Sequence, residues 1–196
     1  LVLPPKIAPI KVIIVPILFS KDKEKVIQYC KNLEKKLSKF DVSLDLRDYN
    51  VGWKYNEWEL KGVPIRIEVG PNEIKKKQVV MYRRDSHKKE NVKITSLVKK
   101  INDTLEDIQK SLYEKSKKLF ESNLIEVDNV KDFEKAINEG KFVKTYWSGD
   151  SDVEEKIKEK YEKILNIPFE QPNKLGNSIY SPERKSKYMI YVAKSY

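Results

Sequence analysis

Val12-Ile13-Ile14-Val15-Pro16-Ile17-Leu18 is an unbroken, mostly β-branched apolar run, the pattern of a strand buried on both faces, as in a parallel sheet. Ser20 is placed to cap the helix that follows, in which Val26, Ile27, Cys30, Leu33 and Leu37 recur at helical spacing. Cys30 lies on that stripe and reads as a core residue. Val42, Leu44 and Leu46 alternate with polar residues and predict a second strand. After Gly52 an amphipathic segment over residues 53–60, closed by Gly62, predicts a short helix. Ile65, Ile67 and Val69 alternate with Arg66 and Glu68, so the third strand carries its charges on one face. Residues 79–82 and 92–94 supply two more strands, with the polar Ser86-His87-Lys88-Lys89 as the turn between them. Strand, helix, strand, helix, strand and hairpin make a compact α/β domain.

The second half has a different rhythm. Leu97, Ile101, Leu105, Ile108 and Leu112 form the seam of a long helix, too short for a coiled coil and suited to packing on a core or between domains. Phe133 and Ile137 mark a helix ending at Gly140, and Phe142 and Val143 begin a strand. Residues 153–165 read as a charged helix and 187–194 as a terminal strand, with Pro168, Pro172 and Gly176 punctuating the loop between. The expected division is residues 1–105 and 106–196.

Composition changes this picture in two ways. Among 196 residues, 40 Lys and Arg oppose 30 Asp and Glu, a net charge of +10. Such an excess favours a polyanion such as nucleic acid through counterion release, although a uniformly lysine-rich surface would give the same total. Cys30 and His87 are the single cysteine and the single histidine. An intrachain disulfide, a zinc site of Cys and His ligands, and Cys-His or Ser-His-Asp catalysis therefore find no support. No apolar run approaches the roughly 18 residues of a membrane helix, and no signal peptide is visible, so a soluble, cytoplasmic protein without membrane contact is expected.

The string Gly52-Trp53-Lys54-Tyr55-Asn56-Glu57-Trp58-Glu59-Leu60-Lys61-Gly62-Val63-Pro64-Ile65-Arg66-Ile67-Glu68-Val69-Gly70-Pro71 resembles a signature of prolyl-tRNA synthetases of the eukaryote-like type. The likeness extends to Leu1-Val2-Leu3-Pro4-Pro5-Lys6, to Tyr82-Arg83-Arg84-Asp85, to Leu105-Glu106-Asp107-Ile108-Gln109 and to Lys194-Ser195-Tyr196, and so covers essentially the whole chain. It implies a class II synthetase anticodon-binding domain of α/β class, a mixed five-stranded sheet with flanking helices. A small α+β C-terminal domain is expected to follow. The implied partner is tRNA(Pro), read for a ligase that charges it with proline using ATP. No cofactor is expected in this chain. ATP, magnesium and proline sites are expected in a catalytic domain upstream of Leu1, in a parent enzyme that is a homodimer. The alternative is a stand-alone RNA-binding or scaffold protein derived from the same domain.

The resemblance also nominates residues. Proline anticodons share two guanines, and a splayed guanine offers N1–H and N2–H donors on one edge and O6 and N7 acceptors on another. Glu59 falls where the family places its guanine-reading carboxylate, and Arg66 where it places a base-reading arginine. Tyr55 matches an aromatic that can stack on a base, and Lys88 a basic residue near the anticodon. Each has a plainer reading as well: Glu59 as a surface ion pair with Lys61 or Arg66, Tyr55 as packing, Lys88 as one solvated charge among many.

The chain departs from the family pattern at two places. Asn72 and Glu73 stand where a basic residue and an aspartate are usual, which leaves Asn72 able to donate a hydrogen bond but not a charge. Ser148, Val153, Ile179 and Ser181 stand where many relatives have four zinc-binding cysteines. A zinc-free C-terminal domain packed around Phe142, Trp147, Ile157, Ile179 and Tyr191 is expected instead. By the same resemblance Tyr196 is a docking element toward the catalytic domain, unless it is simply a frayed end.

Overall fold

The apolar run forms β1 (Val12–Pro16), and each of its residues is buried. The continuity has a simple cause: Val12 and Ile14 enter one hydrophobic cluster, while Ile13 and Val15 enter another on the opposite face. A computed structural model describes residues 1–19, 21–160 and 162–194, which form two compact units, Leu1–Lys115 and Ser116–Tyr196. The predicted cap Ser20 and the terminal Ser195 and Tyr196 lie outside the described residues.

In the first unit β1 is followed by α1 (Lys23–Lys36), β2 (Val42–Leu44), α2 (Val51–Leu60), β3 (Ile65–Val69), α3 (Pro71–Lys75), β4 (Gln78–Arg83) and β5 (Lys89–Lys93). These strands make the expected mixed five-stranded sheet, ordered β2-β1-β3-β4-β5. β1 runs parallel to β2 and β3, and β3, β4 and β5 are antiparallel. One face of the sheet presents Val12, Ile14, Ile65, Ile67, Val79, Met81 and Val92 to Val26, Cys30 and Leu33 of α1. The same core takes Leu97, Ile101, Leu105 and Ile108 of α4 (Leu97–Asn123), so the predicted seam is a core-facing stripe. Burial pushes the Cys30 thiol up to about 12, which leaves it protonated and inert.

Two of the boundaries that differ from the expectation are those of β2 and α2. Leu46 is exposed and β2 ends at Leu44, because Asp45 turns its carboxylate inward to bond the Trp58 indole N–H at 2.8 Å. α2 starts at Val51, since Asn50 caps it by accepting from the Gly52 N–H at 2.8 Å.

The second unit contains β6 (Leu124–Glu126), α5 (Val130–Asn138), β7 (Phe142–Trp147), α6 (Ser151–Glu159), β8 (Glu162–Asn166) and β9 (Tyr188–Lys194). Its four-stranded sheet has the order β6-β7-β9-β8. The helix expected over residues 153–165 is shorter: α6 stops at Glu159, and Leu165 belongs to β8. Val153 and Ile157 exhaust the apolar stripe of the helix, and Ile164 instead pairs across β8–β9 with Val192. Pairing with a strand far along the chain overrides the helical propensity of the charged residues.

The core here is Phe133, Ile137, Val143, Val153, Ile157, Ile179, Ile190 and Val192. Of the residues expected to fill it, Ile157 and Ile179 do so and Trp147 packs at its margin. Phe142 is exposed and meets Phe120 at 5.5 Å between ring centres, while Tyr191 points away from the β9 residues Ile190 and Val192. Ser148, Val153, Ile179 and Ser181 are all buried. Two hydroxyls and two hydrocarbon side chains do not fit a zinc ion, which needs thiolate, imidazole or carboxylate donors. Among the described residues no helix is long and apolar enough to cross a membrane.

Candidate nucleic-acid interface

Helical spacing sorts the side chains of α2 into three rows. Lys54 and Trp58, one turn apart, face the sheet and are buried. The carboxylate of Asp45 anchors this row. It accepts from Trp58 and, at 3.1 Å, from the Arg47 backbone N–H, while Lys54 Nζ lies 3.9 Å away. Burial opposes ionisation of Asp45, but the hydrogen bonds from Arg47 and Trp58 and the Lys54 charge win, holding it at about 2. α2 is thereby clamped to the sheet in one orientation.

Tyr55 and Glu59 form the second row, over strands β3 to β5. The register pairs Arg66 with Tyr82 and Tyr82 with Lys89, so three polar side chains stand abreast on one face of the sheet. The Arg66 guanidinium lies 3.7 Å from the Tyr55 ring centre and 4.2 Å from that of Tyr82. Its Nη1 donates to Glu59 Oε1 at 2.8 Å, and its Nε and Nη2 both donate to Glu68 Oε1 at 3.1 Å. Lys89 Nζ donates to the other Glu68 oxygen at 3.0 Å. A cation held between two rings and two carboxylates is desolvated yet paired on every side.

Exposure separates the roles within this cluster. The Arg66 side chain is 6% exposed, whereas Glu59 keeps 29% open to solvent. Partial burial works against ionisation of Glu59, but the hydrogen bond and charge of Arg66 outweigh it and hold the carboxyl below the usual carboxylate range. Burial and the negative charge of Glu68 push the Tyr55 hydroxyl up, and burial and Glu59 do the same to Tyr82. The cluster therefore offers one ionised, accessible acceptor backed by protonated phenols.

The structure thus brings Tyr55, Glu59 and Arg66 together, and pairs Arg66 with Glu59 where the resemblance implied a base-reading arginine. Three of its donors are directed at Glu59 and Glu68, so it braces the carboxylate instead of standing opposite it with a free edge. Glu73 accepts from the Gly70 N–H at 3.0 Å and caps α3, and its charge reaches Tyr55. Asn72 is exposed beside it. Lys88 is exposed in the β4–β5 turn, one residue before the ammonium that reaches Glu68.

Glu68, Tyr82 and Lys89 are members of the site that the sequence pattern does not single out. The alternation of Arg66 and Glu68 put them on one face, but only strand pairing shows Lys89 in β5 rather than the turn, beside Tyr82. His87 Nδ1 lies 2.8 Å from the Tyr82 hydroxyl, a contact made by a turn residue with positive φ.

Residues 11–104 match a family model described as anticodon binding domain, and residues 130–196 one described as prolyl-tRNA synthetase, C-terminal. The whole chain is 40% identical to proline–tRNA ligase 2 of Clostridioides difficile and 41% identical to proline–tRNA ligase of Alkaliphilus oremlandii. Identity to proline–tRNA ligase 2 of Bacillus cereus is 39%. The chain spans 41% of the length of each of these relatives.

Proposed function

Because this chain belongs to the prolyl-tRNA synthetase family and carries its anticodon-binding and C-terminal domains, we propose that it reads the tRNA(Pro) anticodon for a proline–tRNA ligase. The observation that carries the reading is the Glu59 carboxylate, ionised, partly exposed and braced at 2.8 Å by a buried arginine. Guanine presents two adjacent donors, N1–H and N2–H, to such a group, and no other base presents that pair. Arg66 neutralises the carboxylate while RNA covers it, so desolvation on binding does not strand a charge. It is a positioning residue for Glu59.

Tyr55, already flanked by Arg66, supplies a ring beside the base, and Lys88 and Asn72 supply nearby donors for acceptor edges or phosphates. Glu73 is an acceptor shared with the α3 backbone. Joining proline to tRNA at the expense of ATP, with magnesium, is assigned to the remainder of a longer, homodimeric, cytoplasmic ligase. The support is that relatives bearing that name extend well beyond the matched 41%.

Binding of tRNA(Pro) transcripts to the 196-residue chain tests the proposal. Replacing either anticodon guanine should weaken binding by about 1–3 kcal/mol. In Glu59→Gln the penalty at the one guanine that this carboxylate reads should largely disappear, because the carboxamide places a donor against a donor. Equal affinity of the parent chain for all anticodons would leave only charge-driven binding and defeat the assignment.

A further inference from the structure

The third row of α2, on the flank away from Tyr55 and Glu59, is Trp53 and Glu57. Trp53 is 47% exposed and Tyr49, just before the helix, is 54% exposed. Their ring centres are 4.2 Å apart at an interplanar angle of 33°, and the Arg47 guanidinium carbon sits 5.5 Å from each ring. Arg47 is fixed there. Its Nε and Nη2 donate to Asp45 at 3.0 and 2.7 Å, and its Nη1 and Nη2 to Glu57 at 3.1 and 2.6 Å.

We infer that Tyr49, Trp53 and Arg47 form a second platform, on which an unpaired base of the same RNA stacks irrespective of its identity. Two half-open rings beside an immobilised guanidinium are the chemistry of base stacking, which every nucleobase satisfies with its π face. The Arg47 nitrogens point into carboxylates, so the guanidinium selects no base edge. Continuity favours RNA as the occupant: Trp53 and Glu59 stand on the two flanks of one short helix, within the matched anticodon-binding domain. The net charge of +10 draws a polyanion to the chain as a whole. Pre-fixing Arg47 also lowers the side-chain entropy lost on binding.

The inference rests on the anticodon-reading proposal for its partner, and the experiment separates the two. The parent chain, Trp53→Ala, Tyr49→Ala and Trp53→Phe are titrated with tRNA(Pro) and with a transcript lacking one anticodon guanine. Trp53→Ala should bind both transcripts about tenfold more weakly, toward the lower part of the stacking range, with the ratio between them unchanged. Tyr49→Ala should act in the same direction, and Trp53→Phe should stay within about twofold of the parent, because the ring is kept. Saturating RNA should quench the emission difference between the parent and Trp53→Phe, which isolates Trp53 from the other two tryptophans. A tenfold loss in Trp53→Ala with a parent that ignores the anticodon would defeat anticodon reading and leave the platform standing. Parent-like affinity of Trp53→Ala for both transcripts, or unquenched Trp53 emission, overturns the platform and leaves the surface to a protein contact.

Discussion

Along β3 the two faces of the first sheet solve the same burial problem with opposite chemistry. On one face Ile65, Ile67 and Val69 of β3 press into a continuous hydrocarbon core with α1 and α4. On the other, the intervening Arg66 and Glu68 are buried nearly as deeply, Arg66 under Tyr55 and between two carboxylates, Glu68 between Arg66 and Lys89. The apolar face draws stability from area removed from water, which is insensitive to small shifts of partner. The polar face has little to gain from burial itself, since desolvating ions costs nearly what pairing returns. What it gains is a carboxylate held at one place and one charge. The difference separates holding the fold from presenting a recognisable group.

The largest effect on stability should come from the hydrocarbon face. Ile67→Ala is expected to lower unfolding free energy by about 2–5 kcal/mol, the range for deleting a buried aliphatic side chain. Denaturant melts would measure this, and the ratio of affinities for guanine-bearing and guanine-lacking anticodons should be unaltered. Glu68→Ala comes next, at about 2 kcal/mol, below the usual cost of stranding a buried charge because Glu59 still pairs with Arg66. Unlike Ile67→Ala it should also blur anticodon discrimination, since Arg66 loses two of its three anchors.

Acid titration gives a third handle. Asp45 is lowered from 3.8 to about 2, so its contribution is complete above the unfolded value and disappears as pH falls from 3.8 toward 2. Asp45→Asn should flatten the stability curve across that window while leaving its shape above pH 5 unchanged. Glu59→Gln should be the mildest for the fold, under about 1 kcal/mol for a partly solvated pair, and the most damaging for guanine selection. A melting curve and a binding titration on the same sample decide whether that split exists. If stability and discrimination fall together, the proposed division between the two faces is wrong.

Much of this was legible along the chain. The β-branched run of β1, the stripe from Val26 to Leu37 and the seam from Leu97 to Leu112 are dense local patterns that announce their elements. The motif from Gly52 to Pro71 named Tyr55, Glu59 and Arg66 together before any geometry was known. The length of α6 was not legible, because Lys and Glu around Ile164 favour helix locally and only pairing with β9 makes them a strand. Nor was the posture of Arg66, because alternation says which face a side chain takes and nothing about what covers it.

Periodicity was enough to specify the α/β order and the core stripes, and the twenty-residue motif from Gly52 to Pro71 nominated Tyr55, Glu59 and Arg66. The tertiary structure alone decided that Arg66 points its donors at Glu59 and Glu68, that Lys89 joins them, and that Tyr49 and Trp53 meet over Arg47. The reason is range. Apolar patterning acts between neighbours in sequence, whereas an ion's partner is whichever opposite charge the register of distant strands delivers within about 3 Å.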